Sequence, residues 1–116
     1  GGLGSDRFVY QTLTDSLLAN YDGIADFNAT DDLFLVGTAR TGFSDAGAVA
    51  TLDNAGISAS LTNANFGANS VASFTFGSRS FVAINDATAG FNQANDVIVE
   101  VTGLTGTLGL GNFVIA

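Results

Sequence analysis

The sequence predicts a mostly β fold: a β-roll rung or strand at the N-terminus leading into a small β-sandwich with a short helical insertion. Three observations carry this. Apolar side chains recur with period two in Phe8, Tyr10 and Thr12, and in Phe74 and Phe76, the spacing that places alternate residues on one face of a strand. Short apolar runs such as Leu33-Phe34-Leu35-Val36 and Val97-Ile98-Val99 are bounded by Asp, Asn and Gly, which favour turns. Helix-like spacing is confined to one central stretch.

In chain order, the first strand is expected around Phe8-Val9-Tyr10. Gly23 to Phe27 and Leu33 to Val36 read as two more, separated by the polar turn Asn28-Ala29-Thr30-Asp31-Asp32. From Ser44 to Asn65, Val49, Leu52, Ile57 and Leu61 fall at helical spacing. Two short helices are expected there, the first capped by Ser44 or Asp45 and broken from the second near Asn54 and Gly56. Val71–Phe76 and Arg79–Ile84 read as a hairpin around Gly77-Ser78, with glycine at the first turn position. Asp96–Val101 is a further strand, then come the spaced glycines 103, 106, 109 and 111, and the chain closes on Phe113-Val114-Ile115-Ala116. Most of the ten phenylalanines are expected in the core, Phe8, Phe27, Phe34, Phe74, Phe76 and Phe81 on strands. Phe43, Phe66 and Phe91 are expected in loops, as caps on the ends of the sandwich.

The 116 residues are expected to form one domain. Composition excludes several chemistries. Without Cys or His there is no zinc site, thiol nucleophile or Ser-His-Asp arrangement. Eleven acids against three arginines, with a net charge of −8, argue against nucleic acid, whose phosphates need a cationic face. No apolar stretch is long enough to span a bilayer as a helix, so no membrane insertion is expected. The pair Asp22 and Asp26 raises glycoside hydrolysis, but with no Trp and few basic groups no enzyme is expected. The absence of Met suggests a processed product or a piece of a longer one, and the front lacks the basic and apolar regions of a cleavable signal. The inorganic partner that suits this composition is a hard cation held through oxygen.

One motif carries such chemistry. Gly1-Gly2-Leu3-Gly4-Ser5-Asp6-Arg7-Phe8-Val9 fits the calcium-binding nonapeptide G-G-x-G-x-D-x-U-x at every specified position. Glycines permit backbone angles that turn carbonyl oxygens toward one point, and Asp6 adds a carboxylate to a cation that takes six to eight oxygens. A single repeat supplies half a site, so this one is the last rung of a stack or the partner of another loop. Gly1, Gly2, Gly4 and Asp6 are therefore candidate calcium ligands. Asp22, Asp26, Asp31 and Asp32 form the densest acidic cluster. If the flanking strands pair, these like charges crowd together unless a cation intervenes, which makes Asp22, Asp26 and Asp32 further candidates. The loop from Asp86 to Asp96, with Asn85, Asn92 and Asn95, reads as ordinary turn composition rather than a second ion site.

This opening, followed by Asp15-Ser16, Asp22-x-Ile24-x-Asp26-Phe27 and Asp32-x-Phe34, resembles the end of RTX proteins, the calcium-dependent cargo of type I secretion. It is similar, more distantly, to the C-terminal module of serralysin-type proteases, with Thr30 where that pattern prefers Gly. The blocks Phe74–Arg79, Ala83–Phe91 and Val101–Gly106 resemble the C-terminal "bluetail" domain of cyanobacterial surface proteins, and the likeness covers nearly the whole chain. The resemblance implies a non-enzymatic, extracellular or cell-surface end cap that folds with Ca2+ and carries a type I secretion signal. The apolar ending matches such signals, with Asn112 in place of the acid. The partners implied are upstream RTX repeats or neighbouring copies of the chain. The alternative is a self-assembling subunit of a filament or surface layer, a homo-oligomer or polymer; a carbohydrate-binding adhesin is a third class.

Overall fold

The computed structural model describes residues 5–11 and 16–115. Gly1, Gly2, Gly4 and Thr12, on which parts of the expectations above rest, lie outside the described residues. The strands are β1 (Arg7–Tyr10), β2 (Asp22–Gly23), β3 (Leu33–Val36), β4 (Phe43–Ala48), β5 (Val71–Phe76), β6 (Arg79–Ile84), β7 (Val97–Glu100) and β8 (Phe113–Ile115), with one helix, α1 (Asn54–Ser60). A turn of 3-10 helix at Leu110–Asn112 leads into β8. The fold is mostly β, as the sequence predicts, with two sheets and one short helix.

The smaller sheet has the order β1-β3-β8 and is parallel throughout. The larger has the order β2-β7-β6-β5-β4, an antiparallel meander with a parallel strand added at each edge. The chain alternates between sheets through its first four strands, makes the β5-β6-β7 meander, and returns to the smaller sheet as β8. Between the sheets lie Tyr10, Ile24, Phe27, Phe34, Val36, Val71, Val82, Ile84, Val97, Val99, Val101 and Phe113. The opposite face of the larger sheet is covered as well. Ile57 and Leu61 of the helical segment, with Val49 and Phe66, pack on Ala72, Phe74, Phe81, Ala83 and Ile98. Hence Phe81–Ile84 is buried without a break, the pattern of a strand covered on both faces.

The hairpin forms where expected: Phe76 pairs with Arg79 across Gly77-Ser78. Gly77 has φ +61, the left-handed angle that the first position of a two-residue II′ turn demands.

Two expectations about the elements fail. Of the two helices, only one forms, and Ser44 and Asp45 lie in β4. There Gly47, at φ +75, sits in a register shift between Asp45 and Ala48, and the Asp45 carboxylate accepts the Gly47 N–H at 3.0 Å. A left-handed glycine and a side chain competing for backbone N–H groups are poor helix material, while β5 offers a full ladder. The cap of α1 is Asp53, whose carboxylate accepts from Gly56 N at 2.8 Å. This bond, with a second from Thr51, holds its pKa below the usual carboxylate range. Asn54 and Gly56 are thus inside the helix. The expected strand Gly23–Phe27 shortens to Asp22–Gly23 and pairs with β7 rather than with β3. Ile24 and Phe27 turn into the core instead.

The aromatic expectations hold for most positions. Phe27, Phe34, Phe74 and Phe81 are buried. Phe66 is buried and Phe91 packs at the edge of the second cluster. Phe43 is in a strand, 6.2 Å from Phe113 between ring centres, rather than in a loop.

Candidate functional site

The turn between residues 28 and 32 is built by its own side chains. The backbone N–H groups of Asp31 and Asp32 donate to Asn28 O at 3.1 and 2.7 Å. Thr30 N donates to Asn28 Oδ1 at 3.0 Å, and Asn28 Nδ2 reaches Asp31 Oδ2 at 3.3 Å. Asp32, 1% exposed, faces inward at the head of β3. Its Oδ2 accepts from Asn28 N at 2.8 Å and its Oδ1 accepts from Asp6 N at 2.9 Å. Leu33 N donates back to Asp6 O at 2.9 Å. Asn112, at the head of β8, donates through Nδ2 to Ala29 O and Asp32 O at 2.8 and 3.1 Å. Asp6, Asp32 and Asn112 therefore lash together the starts of three parallel strands.

Asp6 and Asp32 are brought together as candidates; Asp22 and Asp26 are not part of this group. Asp22 belongs to the larger sheet, where its Oδ2 accepts from the Tyr10 hydroxyl at 3.1 Å and its N–H donates to Ser16 Oγ at 2.8 Å. Asp26 is exposed in the turn that follows β2. The crowding of Asp22 against Asp31 and Asp32 required β2 and β3 to pair, and they lie in different sheets. Among the described residues, no group of three or more acidic, His or Cys side chains is placed to hold a metal.

One atom at this end does fit a cation. Asp6 Oδ2 is sealed from solvent and has no hydrogen-bond partner among the described residues. A buried carboxylate oxygen left unpaired is costly, and it belongs to the residue that the nonapeptide pattern assigns as the calcium carboxylate. Its chemistry, that of a hard carboxylate oxygen, suits Ca2+. The carbonyls that would join it belong to Gly1, Gly2 and Gly4, outside the described residues.

The same turn occurs a second time. Phe27-Asn28-x-x-Asp31-Asp32 before β3 has its counterpart in Phe91-Asn92-x-x-Asn95-Asp96 before β7. Asp96 Oδ2 accepts from Asn92 N at 2.7 Å and its Oδ1 accepts from Asp86 N at 3.1 Å. Ala94 N donates to Asn92 Oδ1 at 2.9 Å, and the N–H groups of Asn95 and Asp96 donate to Asn92 O. The repeat is absent from the expectations above, although its signal is in the sequence: Phe-Asn, two residues, an acid or amide, then Asp before an apolar run. The loop is turn architecture, as expected for it, and Asn85 completes it by donating to Phe66 O and Gly67 O.

Asp96 is fully buried. Burial pushes its pKa up to about 7, against the two backbone N–H bonds, which favour the anion, and with help from the nearby Asp86 carboxylate. The raised value gives a sign. Its contribution to stability is full below about pH 4, where the unfolded carboxyl is also protonated, and is lost as pH rises through about 7. We expect about 2–4 kcal/mol of stability to disappear across that window, at most about 1.4 kcal/mol for each pH unit. Urea melts from pH 4 to 8 should show the decline, and Asp96→Asn should flatten it. Equal slopes in the two proteins would place the effect elsewhere.

No family model matches the chain, and no curated protein or solved structure is matched by it. The class that fold and site define is a mostly β, two-sheet module whose parallel sheet begins at a cluster of Asp and Asn side chains.

Proposed function

We propose that this chain is a non-catalytic extracellular module, the calcium-dependent end cap of a parallel β stack in a type I-secreted surface protein. The observation that carries this is Asp6 Oδ2, buried and unpartnered among the described residues, at the start of an edge strand and directly after the glycines of the nonapeptide. Two further features support it. β1 leaves one side of the parallel sheet without a partner among the described residues, where a preceding rung of the same hand can add. The excess of acids disfavours compaction until cations neutralise it. The apolar run Phe113–Ile115 is folded as β8, so a secretion signal that includes it is read before the chain folds.

The test is a thermal melt in millimolar calcium and in EDTA, the affinity range of extracellular calcium modules. With millimolar calcium at about ten times its Kd, binding stabilises by about 1.4 kcal/mol, which raises Tm by about 5 °C. Asp6→Asn should lose most of that rise. A melting curve indifferent to EDTA, or an Asp6→Asn variant with the full wild-type response, overturns the proposal.

A second reading, self-assembly, has its own observation. The outer face of the parallel sheet carries Val9, 55% exposed, beside half-buried Leu33, Leu35 and Val114, with Val9, Leu35 and Val114 in register across three strands. Parallel sheets ordinarily have both faces covered. Light scattering during the same calcium titration separates the readings: a constant monomer mass fits the cap, and growing mass fits a polymer.

A further inference from the structure

The inner face of the larger sheet changes chemistry along its length. Beneath the parallel sheet it is Val71, Val82, Ile84, Val97 and Val99. Toward the hairpin, the same side of β5 and β6 carries Ser73, Thr75 and Ser80, which period two places in line with Val71 and Val82. Thr75 faces Ser80 directly across the strands, and Ser73 faces Asp45 of β4. A sandwich interior made of hydroxyls is a poor core. The parallel sheet does not cover this end, which opens as a cleft of about 380 Å³ against residues 104–108, within the range of roughly 300–1,000 Å³ for small-molecule sites.

The cleft is preformed. Its far wall is fixed by Leu104 N donating to Val101 O at 2.9 Å, Thr105 N to Phe27 O at 3.0 Å, and Ala29 N to Thr105 O at 2.8 Å. Gly106, at φ +76, lets the loop approach the Asn28–Asp32 turn so closely that a Cβ there would lie 3.1 Å from Thr30 Oγ1. Phe43, Leu104 and Leu108 give it apolar sides.

Its polar groups are available. Among the described residues, the hydroxyls of Ser73, Thr75, Ser80 and Thr107 hold no hydrogen bond, and none is sealed away from solvent. Among the described residues Asp45 engages one carboxylate oxygen, with Gly47 N. Among the described residues no Lys or Arg lines the cleft, and the chain carries a net charge of −8, so an anion is rejected. What remains is a ligand with many neutral hydroxyls and some apolar C–H surface. We propose that this cleft binds a neutral saccharide, its hydroxyls exchanging hydrogen bonds with Asp45, Ser73, Thr75 and Ser80 and its C–H face resting on the Leu104–Leu108 wall.

The experiment is a titration of the whole chain with the methyl glycosides of glucose, galactose, mannose and N-acetylglucosamine, followed by amide chemical shifts. At least one should give saturable shifts at residues 43–45, 73–81 and 104–108, with a Kd on the order of 1 mM. The double variant Thr75→Val, Ser80→Val extends the valine face already present, so it should keep or raise Tm while weakening binding about tenfold, the cost of hydrogen bonds lost to the ligand. The proposal is overturned by the absence of saturable shifts with all four glycosides, by shifts centred elsewhere, by undiminished binding in the variant, or by tighter binding of glucuronate than of glucose.

Discussion

Phe34→Ala should destabilise this protein by about 4–5 kcal/mol, the upper part of the range for a buried aromatic cut back to alanine. The expectation rests on how many rings meet at this one side chain. Phe34 is fully buried and lies between two stacked neighbours, Phe27 at 4.7 Å and Phe113 at 5.1 Å, with Phe8 and Tyr10 tilted against it at 6.2 and 6.0 Å. Aromatic pairs contribute about 0.5–1.5 kcal/mol each beyond their buried area. The surrounding rings sit on a turn and on two strands, β1 and β8, held in register against β3 by backbone ladders, so they cannot collapse into the space. A loss of that size approaches the total stability of a small domain, about 5–15 kcal/mol. It should appear in urea melts as a large fall in midpoint with an unchanged slope. Phe91→Ala, at a half-buried edge position, should cost less than half as much. A fall below about 1 kcal/mol for Phe34→Ala would mean the rings do not form one packed unit.

The ring cluster was legible because period-two patterning and apolar runs report burial directly: Phe34, Phe74 and Phe81 fall where alternation puts them. The hairpin was legible because one glycine in a two-residue turn leaves few options. Pairing was not. Gly23 to Phe27 reads as a strand by composition, but whether its backbone pairs with β3 or β7 is decided by contacts more than seventy residues apart. The stretch Phe43–Ala48 departs from its expected helix for a related reason. Its small residues have weak preferences, and the open side of β5 settled the matter, a tertiary override of propensity. At the candidate site, Asp6 and Asp32 were legible as acids beside turns, while their roles were not. Nothing local distinguishes a carboxylate that accepts two backbone N–H groups, as Asp32 does, from one with a buried oxygen unpaired, as Asp6 has. The repeated Phe-Asn-x-x-(Asp/Asn)-Asp turn was the available clue, because the same spacing before two apolar strands argues for a backbone role at the second Asp.

That distinction makes the second large effect. Asp32→Ala should cost about 3–4 kcal/mol, because it removes both acceptors and leaves Asp6 N and Asn28 N without partners in a turn shielded by Asn112 and β3. Leaving such donors unsatisfied costs about 1–3 kcal/mol each, and hydrogen bonds to a charged group lie at the stronger end. Asp32→Asn keeps one acceptor but sets an amide N–H against a backbone N–H, so it should fall between alanine and wild type. The decisive comparison is made in EDTA and in calcium. Both oxygens of Asp32 are engaged by the backbone, so the cost of Asp32→Ala should be of similar size in EDTA. Asp6→Asn should behave in the opposite way, with little change in EDTA and a large one in calcium, since the oxygen at issue there has no partner among the described residues. If the Asp32→Ala cost vanished in EDTA, Asp32 would be a ligand rather than a clamp, and the head of the parallel sheet would be held by the ion instead of by its own side chains.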